Sequence, residues 1–256
     1  MAAAGSGERL GVGSPKAFIP LAGQPMVEWS IAAFRAADRV RSIVVACPPG
    51  LVHDLGDDLS VVDGGETRAE SVASALGAVE TELVAVHDAA RPLITTELIE
   101  GTLDTLLADD DAAGAIAATP VTDTIKQVGA GKQVGKGEAI EPAAEDSNDL
   151  LTTYGPYGVT NSSTVVEATL DRGRLWAAQT PQVFRTEALR RAVGAAESAP
   201  TATDEAMLIE AAGGRVLIHP APPENMKITT PRDLRLAELL LAERSGAGGQ
   251  SPDELA

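Results

Sequence analysis

Cysteine is nearly absent from this chain: among 256 residues only Cys47 occurs. A lone cysteine excludes an intramolecular disulfide, and its place in the apolar run Ser42-Ile43-Val44-Val45-Ala46-Cys47 marks it as a small buried strand residue. Long hydrophobic runs are missing too. No apolar stretch reaches the roughly 18 residues that a membrane-spanning helix needs, and the N-terminus has neither a basic nor an apolar leader region. A soluble, cytoplasmic chain is expected, with no membrane partner. Positive charge is in short supply, since 20 Lys and Arg stand against 37 Asp and Glu for a formal net charge of −17, and no basic block gathers them. Such a chain repels a nucleic-acid duplex or an anionic bilayer. A small anionic ligand remains open to it, because that needs only a few converging cations and backbone N–H groups.

What is present is a chain with 44% hydrophobic residues, in which short β-branched runs alternate with amphipathic segments. That alternation predicts an α/β fold, a Rossmann-like open and mostly parallel sheet flanked by helices. Strands are expected at Ser42 to Cys47, Leu59 to Val62, Glu82 to His87, Gly114 to Thr119 and Arg215 to His219. Helical spacing runs through Met26 to Asp38, Arg68 to Val79, Thr96 to Leu107, Thr186 to Ala196 and Asp204 to Ala212, with a last helix from Pro231 to about Arg244. One domain, 1–244, is expected, followed by a disordered tail, 245–256, and no second catalytic domain after Arg244. Gly129 to Thr169 interrupts the alternation as a long excursion rich in Gly, Ser, Thr, Asn and acids. An open sheet with a phosphate loop has a buried strand feeding that loop, yet only three alanines precede Gly5, so the first strand is expected to be stunted or missing.

Glycines 5, 7 and 11 allow backbone N–H groups to close around an anion, and Arg9 and Lys16 add full charges. The spacing is not that of a P-loop, because no Gly-Lys-Ser/Thr follows. Nor is it the dinucleotide fingerprint, since Pro15-Lys16 stands where a packed helix would already run.

From here the motifs follow in order. Ala3-Ala4-Gly5-Ser6-Gly7-Glu8-Arg9-Leu10-Gly11 is followed by Pro15-Lys16-Ala17-Phe18, then by Asp63-Gly64-Gly65-Glu66-Thr67-Arg68-Ala69-Glu70-Ser71-Val72. Val86-His87-Asp88-Ala89-Ala90-Arg91-Pro92 and Asp123-Thr124-Ile125-Lys126 come next. Leu175-Trp176, Gln179-Thr180-Pro181-Gln182-Val183-Phe184, Thr203-Asp204-Glu205-Ala206 and Asn225-Met226-Lys227-Ile228-Thr229-Thr230 complete the set. The ordered set resembles the nucleoside-triphosphate sugar and alditol transferases, and among them the 2-C-methyl-D-erythritol 4-phosphate cytidylyltransferases of non-mevalonate isoprenoid synthesis.

The resemblance implies attack of a sugar-alcohol phosphate on the α-phosphate of CTP, with Mg²⁺ as cofactor and pyrophosphate as leaving group. Arg9, Lys16, Arg172 and Lys227 would then be the catalytic cations. Ala3, Ala4, Gly5, Ser6 and Gly7 would cradle the nucleotide, and Gly64, Gly65, Arg68 and Ser71 would lie beside it, with Ser71 able to bond the base. Asp88 would hold the Mg²⁺, next to Ala89, while Thr203 and Asp204 would face the substrate. Arg172 and Thr124 would come from a β-arm, in an arm and insertion at about 122–178, reaching into a partner subunit of a homodimer; Arg174 is a rival for Arg172. His87 is expected to be structural, and Gln179 to Gln182 a rigid turn near the arm base. A ribitol 5-phosphate cytidylyltransferase, or a CTP-binding regulatory protein without turnover, stays open as an alternative.

Overall fold

The computed structural model describes residues 1–5, 15–50, 55–56, 58–128, 165–195 and 202–246. It separates into two compact units, Met1–Thr119 with Ala177–Ala256, and Pro120–Trp176. In the first, a 3-10 turn at Lys16–Phe18 leads into a small hairpin of β1 (Pro20–Leu21) and β2 (Gln24–Pro25). Its two central residues, Ala22 and Gly23, both have positive φ, 49° and 91°, the conformation of a tight two-residue hairpin turn. Then follow α1 (Met26–Ala36), β3 (Val44–Cys47), β4 (Ser60–Asp63), α2 (Arg68–Gly77), β5 (Leu83–Val86), α3 (Thr96–Leu107) and β6 (Ala112–Pro120). The second unit carries β7 (Lys126–Val128), β8 (Val166–Thr169) and a 3-10 turn at Arg172–Arg174. The chain returns through β9 (Trp176–Arg185), α4 (Thr186–Ala195), α5 (Glu205–Ala211), β10 (Arg215–Pro220) and α6 (Pro231–Gly246).

Side chains cap the starts of α2, α3 and α5. Thr67 and Glu70 form a reciprocal capping box at the start of α2, Thr95 caps α3, and Asp204 caps α5 through Met207 N–H. Apolar side chains from α1, β3 and Ile99 of α3 form one core layer, while Val72 and Leu76 of α2, Leu189 of α4 and Ile209 of α5 close over Val86, Ile116 and Phe184 in another. The main strands run in the order β10-β6-β9-β5, and β3 pairs with β4.

The opening residues join these two pieces. Ala2 bridges Ala46 of β3 on one side and Asp88 on the other, both in parallel sense. Its N–H donates to His87 O at 2.9 Å and its carbonyl accepts from Ala89 N–H at 3.2 Å, while Ala3 N–H donates to Ala46 O at 2.9 Å. Met1 to Ala3 are thus a short but central segment, three residues that stitch the sheet together. A cavity of about 310 Å³ lies beside this segment, with Met1, Phe34, Ile43, Val84, Ile99 and Val183 among the residues that line it. The Met1 amine, buried and donating to Val44 O at 2.6 Å, has its pKa lowered by burial to about 6.

Sequence periodicity and structure part company in a few places. The sheet is mixed: β3–β4 and β6–β10 are parallel, but β9 runs antiparallel to β5. Gln179 to Gln182 are not a turn; they lie within β9, buried. Their polar side chains disguised a core strand. The last helix continues to Gly246, two residues into the expected tail. Of the excursion, Val166–Thr169 forms β8, antiparallel to β7, while 129–164 and the tail from 247 lie outside the described residues.

Candidate active site

The loops leaving Ala3, β4 and β5 lie at the carboxyl ends of parallel segments, where ligands of open α/β sheets bind. Asp88 is the charged centre. Arg68 Nε donates to its Oδ1 at 2.8 Å and Lys227 Nζ to its Oδ2 at 2.7 Å. Arg68 also reaches Glu205 Oε1 through Nη1, at 2.7 Å. Burial pushes the Asp88 carboxyl upward, but Arg68 and Lys227 outweigh it and hold the group well below the usual carboxylate range. The Arg68 guanidinium, opposed by burial but flanked by Asp88 and Glu205, is held cationic more firmly still. Two carboxylates and two cations thus share a site at which Asp88 is ionised at any physiological pH.

A chain of hydrogen bonds holds Asp88 from behind. Its N–H donates to Thr180 Oγ1 at 3.1 Å; Thr180 Oγ1 lies 3.0 Å from His87 Nδ1, and His87 Nε2 lies 3.3 Å from Arg91 O. A carbonyl can only accept, so Nε2 carries the proton and Thr180 O–H donates to Nδ1. Burial lowers the His87 pKa to about 3, and its ring packs on Phe34 at 5.3 Å between centroids. His87 is neutral and structural, as its lack of a sequence partner suggested. The Lys227 loop is tied to the same place: Ile228 N–H donates to Ala90 O at 2.8 Å and Arg91 Nη1 to Asn225 O at 2.8 Å.

On the other side of Asp88 stands the opening segment. Ala3 is buried, Gly5 exposed, and Lys16 N–H donates to Gly5 O at 3.0 Å, closing the ends of the loop. Arg9, Ser6 and Gly7 lie outside the described residues. Gly64 is required here: a Cβ on it would come within 2.5 Å of Ala4 Cβ and 3.1 Å of Cys47 O. Ala4 and Gly64, far apart in sequence, therefore sit side by side. Ser71 is buried, with its hydroxyl donating to Thr67 O at 2.9 Å and accepting from Gly65 N–H at 3.2 Å, so it shapes the Gly64-Gly65 turn. Ala89 is buried under Ala2.

Asp204 caps α5 and accepts from Gln182 Nε2 at 2.9 Å, while Thr203 beside it is exposed. Thr124 and Arg172 belong to the second unit, both exposed, and Arg172 Nη1 donates to Thr122 O at 2.6 Å; Arg174 shares its 3-10 turn.

A family profile described as IspD: 2-C-methyl-D-erythritol 4-phosphate cytidylyltransferase matches residues 1–141 and 157–243. The chain belongs to the IspD family. A relative from Symbiobacterium thermophilum, named 2-C-methyl-D-erythritol 4-phosphate cytidylyltransferase, is 39% identical over 251 residues, covering 95% of this chain and 92% of that one. The crystal structure of the enzyme of that name from Thermus thermophilus matches with a TM-score of 0.68 at 31% identity, over 94% of this chain and 96% of that one. A Francisella tularensis structure titled IspD matches with a TM-score of 0.70 at 27% identity, over 93% and 96%.

In this IspD-family chain, two residues at the site escaped sequence reasoning. Thr180 was hidden in a motif read as a turn, and Glu205 stands inside Thr203-Asp204-Glu205-Ala206, where only its neighbours attracted a role. No local signal marked either one, because each stands beside other polar residues and only its partners in space show it to be buried and bonded.

Proposed function

We propose that this chain transfers a cytidylyl group from CTP to 2-C-methyl-D-erythritol 4-phosphate, releasing pyrophosphate, in non-mevalonate isoprenoid synthesis. Membership of the IspD family supports the reaction, and the observation that carries it to these residues is Asp88 bound between Arg68 and Lys227 beside the Gly5 and Gly64 loops. The acceptor phosphate is already anionic, so no general base is needed. The work left is to bring two anions together and to stabilise charge on the five-coordinate phosphorus. Arg9 and Lys16 serve the triphosphate and Lys227 the acceptor phosphate, while Ala3, Ala4, Gly64 and Gly65 keep the wall beside the nucleotide low.

The residues suit a Mg²⁺ ion. Asp88 is ionised and stands beside the Gly5 and Gly64 loops, and it is the carboxylate that would hold the ion. Magnesium is commonly held in that way, by one or two carboxylates with phosphates and water completing its shell. When bound it supplies charge neutralisation to the triphosphate. In this reading the enzyme works in the cytoplasm as a homodimer joined through the arm, where Val128, Val165 and Val166 are exposed, and Thr124 and Arg172 serve the substrate side.

The test is pyrophosphate release from CTP with Mg²⁺ and, in separate reactions, the methylerythritol and ribitol phosphates. Release with the first supports the reading; preference for ribitol phosphate, or CTP binding without release, overturns it. Lys16→Ala should raise the barrier by about 2 kcal/mol or more, the scale of one lost charge stabiliser.

A further inference from the structure

Glu205 is a carboxylate that the chemistry above does not use, yet it is 2% exposed and stands in the same charge cluster. Its Oε1 accepts from Arg68 Nη1 at 2.7 Å, and its Oε2 is buried without a hydrogen-bond partner among the described residues. A carboxylate in that state is expensive, and as a mere tie between α5 and α2 an apolar contact would serve as well or better. What Glu205 does to Arg68 is more specific. The guanidinium is divided, Nε on Asp88 and Nη1 on Glu205. It is thereby kept from the two-pronged pair that an arginine forms with a single carboxylate. Among the described residues each oxygen of Asp88 consequently meets one side-chain donor, Arg68 on Oδ1 and Lys227 on Oδ2, and an ionised carboxylate has about four acceptor sites.

We propose that Glu205 is a positioning residue: by holding Arg68 it leaves Asp88 room for a divalent cation and balances the positive charge that the cation must approach. The proposal rests on the reading of the site as one for CTP and Mg²⁺. Without the Glu205 charge, Arg68 and Lys227 outnumber Asp88, and Arg68 is released to close on Asp88 with both prongs. Both effects weaken the metal. The fold supplies the device locally, because Asp204 caps α5 through Met207 N–H and is itself gripped by Gln182, so the next side chain, Glu205, is aimed inward at Arg68.

Binding of Mn²⁺ in place of Mg²⁺, with CTP present and no acceptor, reads the effect without turnover, from the free-Mn²⁺ electron paramagnetic signal. Glu205→Gln, which keeps the shape and removes the charge, should weaken Mn²⁺ binding about tenfold, the lower end for a residue that supports a metal ligand. Glu205→Asp should recover most of that loss. In an Arg68→Gln background the further change Glu205→Gln should alter the affinity less than about twofold, because the two side chains act through one pair. Unchanged affinity in Glu205→Gln, an equal loss in Glu205→Asp, or an undiminished effect without Arg68 would overturn the proposal. A wild-type protein that binds no Mn²⁺ with CTP overturns the CTP reading and this proposal together, which sets the two failures apart.

Discussion

The charges around Asp88 and those of the arm are held in opposite ways. Asp88 and Glu205 are buried and answer to Arg68 and Lys227 at 2.7 to 2.8 Å. Arg172 and Arg174 ride an exposed 3-10 turn, and Arg172 donates to a backbone carbonyl. The difference is physical. A charge out of water must find its counter-charge within the fold, so the Asp88 cluster is built in advance of any ligand. A charge in water needs no partner and contributes little to stability, so the arm arginines are available to whatever approaches.

The contrast is broken most severely by Asp88→Asn. Without the charge, Lys227 loses its counter-charge and Arg68 keeps only Glu205, and stability should fall by about 3–5 kcal/mol, as when one member of a buried pair is removed. Denaturant unfolding measures that loss, and pyrophosphate release should drop about a hundredfold or more in the same variant. A fully active, equally stable Asp88→Asn protein would remove this residue from both roles.

Acid tests the layer behind it. His87 is held neutral, with its pKa lowered from 6.5 to about 3. The unfolded chain therefore takes up a proton first as the pH falls, and stability declines from about pH 6.5 down to about pH 3, by at most on the order of 4 kcal/mol. Asp88 loses its own contribution as the pH falls from the ordinary carboxylate range down through its lower folded-state pKa. In His87→Gln the slope between pH 6.5 and 3 should flatten; an unchanged pH profile of the unfolding midpoint would mean that His87 is charged in the folded protein.

A smaller break is Thr180→Val, which keeps the shape but takes away the acceptor for Asp88 N–H and the donor to His87 Nδ1. A loss of about 1–3 kcal/mol is expected from the stranded buried groups, read as a lower unfolding midpoint. At the other pole, Arg172→Ala and Arg174→Ala should shift stability by no more than about 0.5 kcal/mol. If the arm serves the substrate, Arg172→Ala should nonetheless lower kcat/KM, and a greater effect from Arg174→Ala would exchange their roles.

Much of this architecture was legible along the chain. Periodicity placed the start of α1 at Met26 and both ends of α3 at Thr96 and Leu107, and the Thr95 side chain, which caps Leu98 N–H, explains where α3 begins. β9 was not legible, because Gln179, Thr180 and Gln182 obtain their partners from Asn225, His87 and Asp204, all distant in sequence. Polar residues satisfied across such distances look like loop until the fold is known. The candidate site divides likewise. Lys16, Asp88 and Lys227 stood out through motif and residue type, whereas Thr180 and Glu205 matter only through what they touch.

By itself, the sequence determined the α/β class, the family and the residue types suited to phosphate chemistry, because these reside in local periodicity and in ordered motifs. Only the tertiary structure decided that three opening residues form the central stitch of the sheet, that Ala4 lies against Gly64, and that Arg68 is shared between Asp88 and Glu205. Each of those depends on distance in space between positions far apart along the chain, and no local pattern of residues carries that information.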